Sequence, residues 1–334
     1  MQKKKGLNMK KKIIKIISLL LFLFLIIFGG CLFINKKPQN AEINIAFNTD
    51  NAYKEYTKVA IKSAIINKNK ESIYHINVLC VDLKPSDCDS YKKFEEKNVT
   101  IKTVPLELKS INNIGNYELD HHVSRADLFK FLLADIFPDL DKILYIDSDT
   151  FIRKDLSELY NTDIHKYYLA AVKKAEPEQD QRFNIFKKWE LVNIYTYNCG
   201  VLLLNLEKIR KDNIIKKLIK AKNDDQIRDL QTQRSFNEVI PIETVKLLSP
   251  VYNSLDRWEE YQWQEYNFPK IYFPYTLAIK DIGQLKAKTV IAHFAGRRKP
   301  WYRESDSLFV DEWWEYAHMV NPEWKIEKSP YEQY

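Results

Sequence analysis

Two carboxylates separated by one residue, Asp147 and Asp149, are the first group in this sequence that could do chemistry. They follow the apolar segment 142–146 (KILYI), which has the composition of a short buried strand. Acids two residues apart at a strand end can point the same way and bind a hard cation that keeps positions open for phosphate oxygens. Asp-x-Asp alone is more often a solvated turn, but open α/β sheets bind ligands at such strand ends. The position therefore favours a metal site.

A second group lies at 293–301 (HFAGRRKPW), after the last predicted strand. His293 can supply an imidazole ligand, Gly296 lets backbone approach a phosphate closely, and Lys299 offers a point charge to a diphosphate. Taken alone, a histidine at a strand end or a lysine in a loop is more often a structural or solvated residue. The chemistry depends on whether the fold brings the two groups together.

The elements around these groups predict an α/β fold. Strand and helix patterns alternate through the first half of the chain, which favours a mostly parallel sheet with helices on both faces. The predicted strands are 42–48, 75–81, 99–104, 142–146, 168–173, 199–205 and 289–293, and the predicted helices are 53–68, 84–97, 124–137 and 206–222.

Composition and charge narrow the class of protein. The chain has 334 residues, of which 45% are hydrophobic, enough for one well-buried domain. Its net charge is +7, but residues 1–40 hold nine lysines and no acid, which leaves −2 for 41–334. The globular part therefore has no bulk charge for binding nucleic acid. The four cysteines form no CxxC pair, which argues against a zinc ribbon; Cys80 and Cys88 can pair in an oxidising compartment, although spacing alone does not decide this.

Residues 16–34 form an uncharged apolar run of 19 residues. As a helix, this run roughly matches the ~30 Å hydrocarbon core of a bilayer. Lysines crowd the segment before it and few follow, which predicts a cytoplasmic N-terminus and a lumenal or extracytoplasmic domain. We therefore expect a basic tail at 1–15, a transmembrane anchor at 16–34, a linker at 35–41 and one domain at 42–334. A cleaved signal peptide is the alternative, although the run is long for one and no clean small-x-small site follows.

Four blocks of this sequence carry a resemblance to a known family. They are 45–53 (IAFNTDNAY), 137–149 (FPDLDKILYIDSD), 197–206 (YNCGVLLLNL) and 293–301 (HFAGRRKPW). In this order they resemble family 8 of the glycosyltransferases, which includes lipopolysaccharide galactosyl- and glucosyltransferases, glycogenin and xylosyltransferases. The resemblance implies a GT-A fold, in which a Rossmann-like nucleotide-binding sheet joins an acceptor-binding half. It also implies a retaining enzyme that moves a hexose or pentose from a UDP-sugar to a glycan, glycolipid or glycoprotein.

The resemblance also implies roles for individual residues. Asp147, Asp149 and His293 match the ligands of one divalent cation, Mn²⁺ or Mg²⁺, with Asp147 close to the donor as well. The other donor-binding positions are Asp50 and Tyr53 for the uridine, Gly296 and Lys299 for the diphosphate, Asn198 and Gly200 around the sugar, and Lys130, where the family has a basic residue. The candidate catalytic residues are Asp149 and Gln233, with Gln233 orienting the sugar or stabilising positive charge at its C1 atom.

The sequence departs from the family near the sugar. Segment 232–237 (TQRSFN) keeps the glutamine of an Asp-Gln-Asp-like pattern but neither acid, and 173–176 (KKAE) has no clear counterpart of a sugar-facing acid. An inactive nucleotide- or carbohydrate-binding relative is therefore the main alternative. A hydrolase with two-metal phosphate chemistry is another, and it would need further ligands such as His121 and His122.

Two local questions stay open in the sequence. The aromatic residues from Trp313 and Trp314 through Trp324 to Tyr334 either line an acceptor groove or pack on the domain through a C-terminal helix, and packing is favoured. Arg125 and Asp127 either help to hold the nucleotide or pair with each other. The same choice between groove and packing applies to the aromatic residues Tyr261, Trp263 and Tyr266.

Overall fold

The computed structural model describes residues 42–115, 124–173, 197–224, 232–255, 282–296, 299–303, 305 and 308–328. The predicted tail, anchor and linker lie outside these residues, as do residues 174–176 and His121, His122, Tyr261, Trp263 and Tyr266. Within the described ranges, no helix combines the length and the apolar character needed to cross a bilayer. The anchor and the topology therefore stay predictions.

Seven strands form the main sheet. The described strands are β1 (Glu42–Thr49), β2 (Ile73–Val81), β3 (Val99–Leu106), β4 (Lys142–Ile146), β5 (Thr150–Ile152), β6 (Leu169–Val172), β7 (Val201–Asn205), β8 (Val245–Leu248), β9 (Ser254–Leu255) and β10 (Ile291–His293). The sheet has the order β3-β2-β1-β4-β7-β6-β8, and β7 runs antiparallel to both of its neighbours while the other pairs are parallel. The predicted mostly parallel α/β sheet is confirmed.

A smaller sheet, with the order β5-β10-β9, carries the histidine. β5 begins directly after Asp149, and β10 pairs antiparallel with it so that His293 lies opposite Thr150. The backbone N–H of Phe294 donates to the carbonyl of Asp149 at 2.9 Å. This register brings the C-terminal block of the sequence to the mid-chain acids.

The helices differ from prediction at three places. The described helices are α1 (Lys54–Asn67), α2 (Pro85–Asp89), α3 (Leu133–Ile136), α4 (Ser157–Tyr160), α5 (Leu206–Lys211), α6 (Ile214–Asp224), α7 (Thr232–Val239), α8 (Ile282–Lys288) and α9 (Val310–Val320). Segment 84–97 forms α2 and a 3₁₀ helix at Ser90–Phe94 instead of one helix. Segment 206–222 divides into α5 and α6 next to Asn213, whose φ of 53° interrupts the helix.

The third difference concerns the segment before β4. Residues 124–137 form a 3₁₀ helix at Arg125–Leu132 and only then the short α3. The hydroxyl of Ser124 accepts the N–H of Ala126, and the side-chain amide of Asn48 donates to the carbonyl of Ala126. The first turn therefore bonds to β1 rather than along a regular α-helix.

Both faces of the main sheet are covered by buried apolar side chains. Ile45 and Phe47 of β1 belong to one core, and Ala46 between them belongs to the other. A disulfide joins Cys80 at the end of β2 to Cys88 in α2, with their Cα atoms 5.9 Å apart. The pairing that spacing left undecided is thus present in the structure.

A third core, made largely of aromatic rings, joins α9 to α1. The rings of Tyr56 and Trp301 stack with centroids 3.6 Å apart, and Trp313 lies against both. Trp313 is only 1% exposed, and the indole N–H of Trp314 donates to the carbonyl of Pro300 at 3.0 Å. Packing of these tryptophans on the domain is confirmed, and the cluster supports the segment that presents Lys299.

Candidate active site

The end of β4 turns its two acids into one cavity. Ser148 between them is buried, and it donates to the carbonyl of Asn48 and accepts from the hydroxyl of Thr57 at 2.7 Å. The N–H of Asp147 donates to the carbonyl of Gly200 at 2.8 Å, which continues the pairing of β4 with β7. These bonds hold the backbone so that both carboxylates line the cavity.

His293 meets these carboxylates. Its Nε2 atom lies 3.3 Å from Asp149 Oδ1 and 3.8 Å from Asp147 Oδ2. One ligand atom from each of the three residues lies within 4.8 Å of the others, and His293 is 3% exposed. The structure therefore brings together the three predicted metal ligands.

A chain of side-chain amides determines which nitrogen of His293 carries the proton. The backbone N–H of Gly200 donates to Asn198 Oδ1 at 2.8 Å, so this atom is an acceptor. Asn253 must then turn its NH₂ group to the same oxygen, at 2.8 Å, and its own Oδ1 to His293 Nδ1, at 2.9 Å. Nδ1 consequently donates, and Nε2 is the nitrogen that faces the acids and is left for a metal ion. The amide of Asn198 also donates to Gln233 Oε1 at 3.3 Å, which links the histidine to the candidate catalytic glutamine.

Gly200 leaves the space that this arrangement needs. A Cβ atom at this position would lie 2.1 Å from His293 Cε1 and 2.8 Å from Asp147 Oδ2. Both distances are too short for non-bonded atoms. The glycine in the YNCG block is therefore required by the approach of the imidazole, in addition to its predicted place near the sugar.

Lys130 lies buried beneath Asp147. Its Nζ atom is 3.1 Å from Asp147 Oδ1 and 2.5 Å from Asp127 Oδ1, and it lies 4.8 Å from the ring centre of Tyr145. Burial alone would lower the pKa of Lys130, but the two carboxylates outweigh this effect and raise it. Tyr145 also donates its hydroxyl to Asp147 Oδ1 at 2.7 Å. Lys130 is therefore a permanent cation at the base of the site.

Lys299 holds the other acid. Its Nζ atom donates to Asp149 Oδ2 at 2.5 Å and to the carbonyl of Phe294 at 2.7 Å. Burial by itself would raise the pKa of Asp149, but Lys299 and His293 outweigh burial and hold it well below its usual range. Gly296, in the turn between His293 and Lys299, has a φ of 93°, which favours glycine over any other residue.

Asp50 and Tyr53 lie at another part of the same cavity wall. Asp50 Oδ1 accepts the N–H groups of Ala52 and Tyr53 at 2.9 and 3.1 Å, and its Oδ2 accepts from Ser124. The ring of Tyr53 lies edge-on to Trp301, with centroids 6.2 Å apart. Asp50 thus stabilises the turn before α1, and the predicted uridine contacts of this pair stay predictions.

Arg125 and Asp127 do not pair with each other. Arg125 donates to the carbonyls of Ile111, Ile114 and Gly115, so it closes the preceding loop. Asp127 instead pairs with Lys130. The pairing hypothesis is wrong because the 3₁₀ winding directs the two side chains to different neighbours.

All of the predicted site residues line a single open cavity of about 200 Å³, which also includes Asn48, Ser124, Asp127, Tyr145 and Thr232. Among the residues that the structure describes, its acidic and basic side chains are four carboxylates (Asp50, Asp127, Asp147 and Asp149), two lysines and His293. With every carboxylate ionised and the histidine neutral, the carboxylates exceed the lysines by two charges, although burial raises the pKa of Asp147. A dianionic ligand would therefore be repelled unless a cation enters as well.

Comparison with known proteins identifies the family. Residues 44–305 match the sequence profile described as glycosyl transferase family 8. This chain belongs to glycosyl transferase family 8. It is 25% identical over 297 residues to General stress protein A of Bacillus subtilis, covering 86% of this chain and 96% of that protein. It is 24% identical over 270 residues to the lipopolysaccharide 1,3-galactosyltransferase of Salmonella typhimurium, covering 78% and 73%.

A solved structure shows the same fold. The galactosyltransferase LgtC, in complex with donor and acceptor sugar analogs, superposes with a TM-score of 0.69 at 21% identity, covering 84% of this chain and 96% of that one. The α/β architecture of this family 8 glycosyltransferase is therefore GT-A-like. The likeness at this identity concerns the fold.

The three ligating side chains of this glycosyltransferase fit a divalent cation. Two carboxylates and an imidazole whose Nε2 faces them are ligands that Mn²⁺ accepts, and the remaining positions would be open to phosphate oxygens. A two-metal hydrolase would need a second cluster. Within the described part of the chain, no other group of three or more His, Cys, Asp and Glu residues lies close enough to hold an ion.

Sequence reasoning did not find Asn253. It is fully buried, follows Tyr252 in an unremarkable segment, and has no motif around it. Nor did the sequence show that Asp127 reaches Thr232, whose hydroxyl donates to Asp127 Oδ2 at 2.5 Å. The contact of Asn253 with His293 and the contact of Asp127 with Thr232 each join segments that are far apart in the chain, so no local pattern signals them.

Proposed function

We propose that this family 8 glycosyltransferase transfers a hexose or pentose from a UDP-sugar to a glycan, glycolipid or glycoprotein acceptor with retention of configuration. The proposal includes dependence on a divalent cation, Mn²⁺ or Mg²⁺. The observation that carries it is the convergence of Asp147, Asp149 and the Nε2 atom of His293 on one side of a cavity that also contains Lys299. Tyr53 and Asp50 in the same cavity support a nucleotide as part of the ligand.

Charge supports the requirement for a cation. The described lining of the cavity carries two more carboxylates than lysines, and the diphosphate of a nucleotide-sugar is itself an anion. Asp147, Asp149 and His293 would hold the cation between these charges. When bound, the cation supplies Lewis-acid stabilisation of the charge that develops on the UDP leaving group.

The chain's own residues would stabilise the same leaving group. Lys299 is fixed by Asp149 and by the carbonyl of Phe294, so its charge needs little reorganisation during the reaction. The turn at Gly296 allows backbone to approach the phosphates closely. Together they would favour departure of UDP over return of the sugar to the nucleotide.

Retention would follow from attack on the same face. The acceptor hydroxyl attacks C1 from the side that UDP leaves, the C1–O bond to the phosphate breaks, and the hydroxyl proton passes to the departing phosphate oxygen. Gln233 lines the cavity, and its carbonyl oxygen accepts from Asn198. We assign Gln233 the orientation of the sugar, with its NH₂ group left to donate.

The cellular setting is part of the proposal. Residues 16–34 would anchor the enzyme with its N-terminus cytoplasmic, and the domain at 42–334 would act in the lumen or outside the cytoplasm. The acceptor would then be met on that side. Release of full-length protein from membranes by salt alone would contradict the anchor.

The test compares Asp149→Asn with wild type in a UDP-release assay. The donors are UDP-glucose, UDP-galactose, UDP-xylose and UDP-N-acetylhexosamines, each with Mn²⁺ and with excess EDTA. Loss of one anionic ligand removes several kcal/mol of stabilisation, so turnover should fall at least about 100-fold, and EDTA should abolish wild-type turnover. The matched control is Asp212→Asn, which removes a carboxylate paired with Lys208 away from the cavity and should keep full activity.

The outcomes separate the alternatives. Full turnover in Asp149→Asn would refute the metal assignment. Wild-type protein that binds UDP with Mn²⁺ in isothermal titration but turns over no donor would favour the inactive nucleotide-binding relative. Turnover that survives EDTA would refute the dependence on a cation.

A further inference from the structure

Asp127 is a carboxylate in the cavity wall that the metal and diphosphate assignments leave unused. It lies on the 3₁₀ helix Arg125–Leu132, with its side chain 25% exposed. Its Oδ1 is 2.5 Å from Lys130 Nζ, and its Oδ2 accepts from the hydroxyl of Thr232 at 2.5 Å. Both oxygens are therefore fixed in place.

Lys130 has enough other partners that Asp127 is not needed to balance its charge. Lys130 already has Asp147 at 3.1 Å, the carbonyl of Cys199 at 3.4 Å and the ring of Tyr145. Lys130 is 3% exposed, whereas Asp127 keeps a quarter of its side chain open. Each carboxylate oxygen can accept two hydrogen bonds, so Asp127 keeps acceptor capacity toward the cavity.

The other carboxylates of the described lining already have a role in the turn before α1 or in the proposed metal site. Asp147 and Asp149 converge on His293, and Asp50 closes the turn at 50–53 with Oδ1 while its Oδ2 accepts from Ser124. Asp127 is the one carboxylate of the described lining without such a role. It contacts Thr232, which precedes Gln233 in the chain. The part of α7 that lines the cavity, Thr232 and Gln233, carries no charge of its own.

We propose that Asp127 accepts hydrogen bonds from hydroxyl groups of the transferred sugar and so determines which sugar is accepted. The inference rests on the proposed function. A carboxylate repels phosphate but forms short, strong bonds with hydroxyl groups, and the sugar is the neutral, hydroxyl-rich part of the donor. Fixation by Lys130 and Thr232 lets Asp127 distinguish hydroxyl positions, because a fixed acceptor left without its partner is costly.

The test measures binding without an acceptor, by isothermal titration of full-length protein in Mn²⁺. Wild type and Asp127→Asn are each titrated with UDP, with the preferred UDP-hexose, and with single-deoxy analogues of that UDP-hexose. In the variant the Kd for UDP should change less than about threefold, while the Kd for UDP-hexose should rise about ten- to a hundredfold. At least one deoxy analogue should bind wild type about tenfold more weakly than the parent donor, and the variant should bind the two equally.

The deoxy comparison distinguishes recognition from a structural role. A purely structural effect would weaken every donor by the same factor and leave the penalty for the missing hydroxyl unchanged, which would overturn the proposal. An equal loss for UDP and UDP-hexose would assign Asp127 to the nucleotide instead. Asp212→Asn is the matched control, because it removes a carboxylate that pairs with Lys208 away from the cavity, and it should keep the deoxy penalty.

Failure of this inference can be told from failure of the proposed function. If wild type binds no UDP-sugar in the presence of Mn²⁺, the proposed function itself fails. If wild type binds and Asp127→Asn behaves identically, only the role of Asp127 fails. Thermal melting checks the fold, and if Asp127→Asn does not fold, Asp127→Glu should still change the order of donor preference; an unchanged order would overturn the proposal.

Discussion

Replacement of Asn253 by leucine tests the amide chain that orients His293. Leucine has the same branching and the same number of side-chain heavy atoms as asparagine, but it neither accepts from His293 Nδ1, at 2.9 Å, nor donates to Asn198 Oδ1, at 2.8 Å. Asn253 is completely buried, so no water is at hand to replace these bonds. The imidazole would lose the acceptor that keeps its proton on Nδ1, and Nε2 would no longer be reserved for a metal ion.

The magnitude follows from the lost bonds. A buried donor without a partner costs about 1–3 kcal/mol, and loss of the residue that orients a ligating histidine typically weakens metal binding 10–100-fold. The two figures agree, because tenfold in affinity corresponds to about 1.4 kcal/mol. We expect the Kd for Mn²⁺ to rise about 10–100-fold in Asn253→Leu. Asn253→Asp should bind Mn²⁺ within about tenfold of wild type, since an aspartate oxygen still accepts from Nδ1–H.

The assay is titration of the full-length protein with Mn²⁺, followed by the electron paramagnetic resonance signal of the unbound ion, with no donor present. The control is Asn77→Leu in β2, which removes a buried hydrogen bond to the carbonyl of Ile45 and a partly buried one to the carbonyl of His75, away from the cavity. That variant should lose stability but keep its Mn²⁺ affinity. If Asn253→Leu binds Mn²⁺ as tightly as wild type, the tautomer argument is refuted.

Two further predictions address shape and pH. Gly200→Ala places a Cβ atom 2.1 Å from His293 Cε1, so the imidazole must move. We expect loss of Mn²⁺ binding and a destabilisation of about 1–3 kcal/mol, measured by urea unfolding. Unchanged Mn²⁺ affinity would show that His293 is not a ligand. Burial favours a higher pKa for Asp155, but hydrogen bonds from Ser157 and Asn69 outweigh burial and lower it. The stabilisation is therefore present above the unfolded pKa of about 4 and is lost as the pH falls below it. Asp155→Asn should unfold about 1–3 kcal/mol more easily at pH 7, with a smaller difference at pH 3, while UDP release at pH 7 stays unchanged; an equal difference at both pH values would contradict the assignment.

Much of the scaffold follows from local patterns. The apolar run before Asp147 predicted a buried strand, and β4 occupies it at Lys142–Ile146. The predicted helix at 53–68 agrees closely with α1. Such predictions succeed because alternation and helical spacing are properties of neighbouring residues.

Other local predictions were wrong where a residue distant in the chain forms a hydrogen bond with the backbone of the segment. The helix expected at 124–137 is mostly 3₁₀, because Asn48 of β1 bonds to the carbonyl of Ala126. The same winding sends Asp127 to Lys130 and Thr232 rather than to Arg125. Neighbouring residues could not show this, since Asn48 and Thr232 lie far away in the chain.

In the site, too, some features were predictable from the sequence and others depended on the fold. Residue types and family blocks were enough to name Asp147, Asp149 and His293 before any coordinates, because acids after a buried strand and a histidine in a conspicuous block are visible locally. Only the folded chain decided that β10 lies beside β5 in the register that places His293 by the acids. Only it showed that Asn253 holds the imidazole. The physical reason is that the direction and protonation of a buried polar group depend on partners that strand pairing supplies from remote segments.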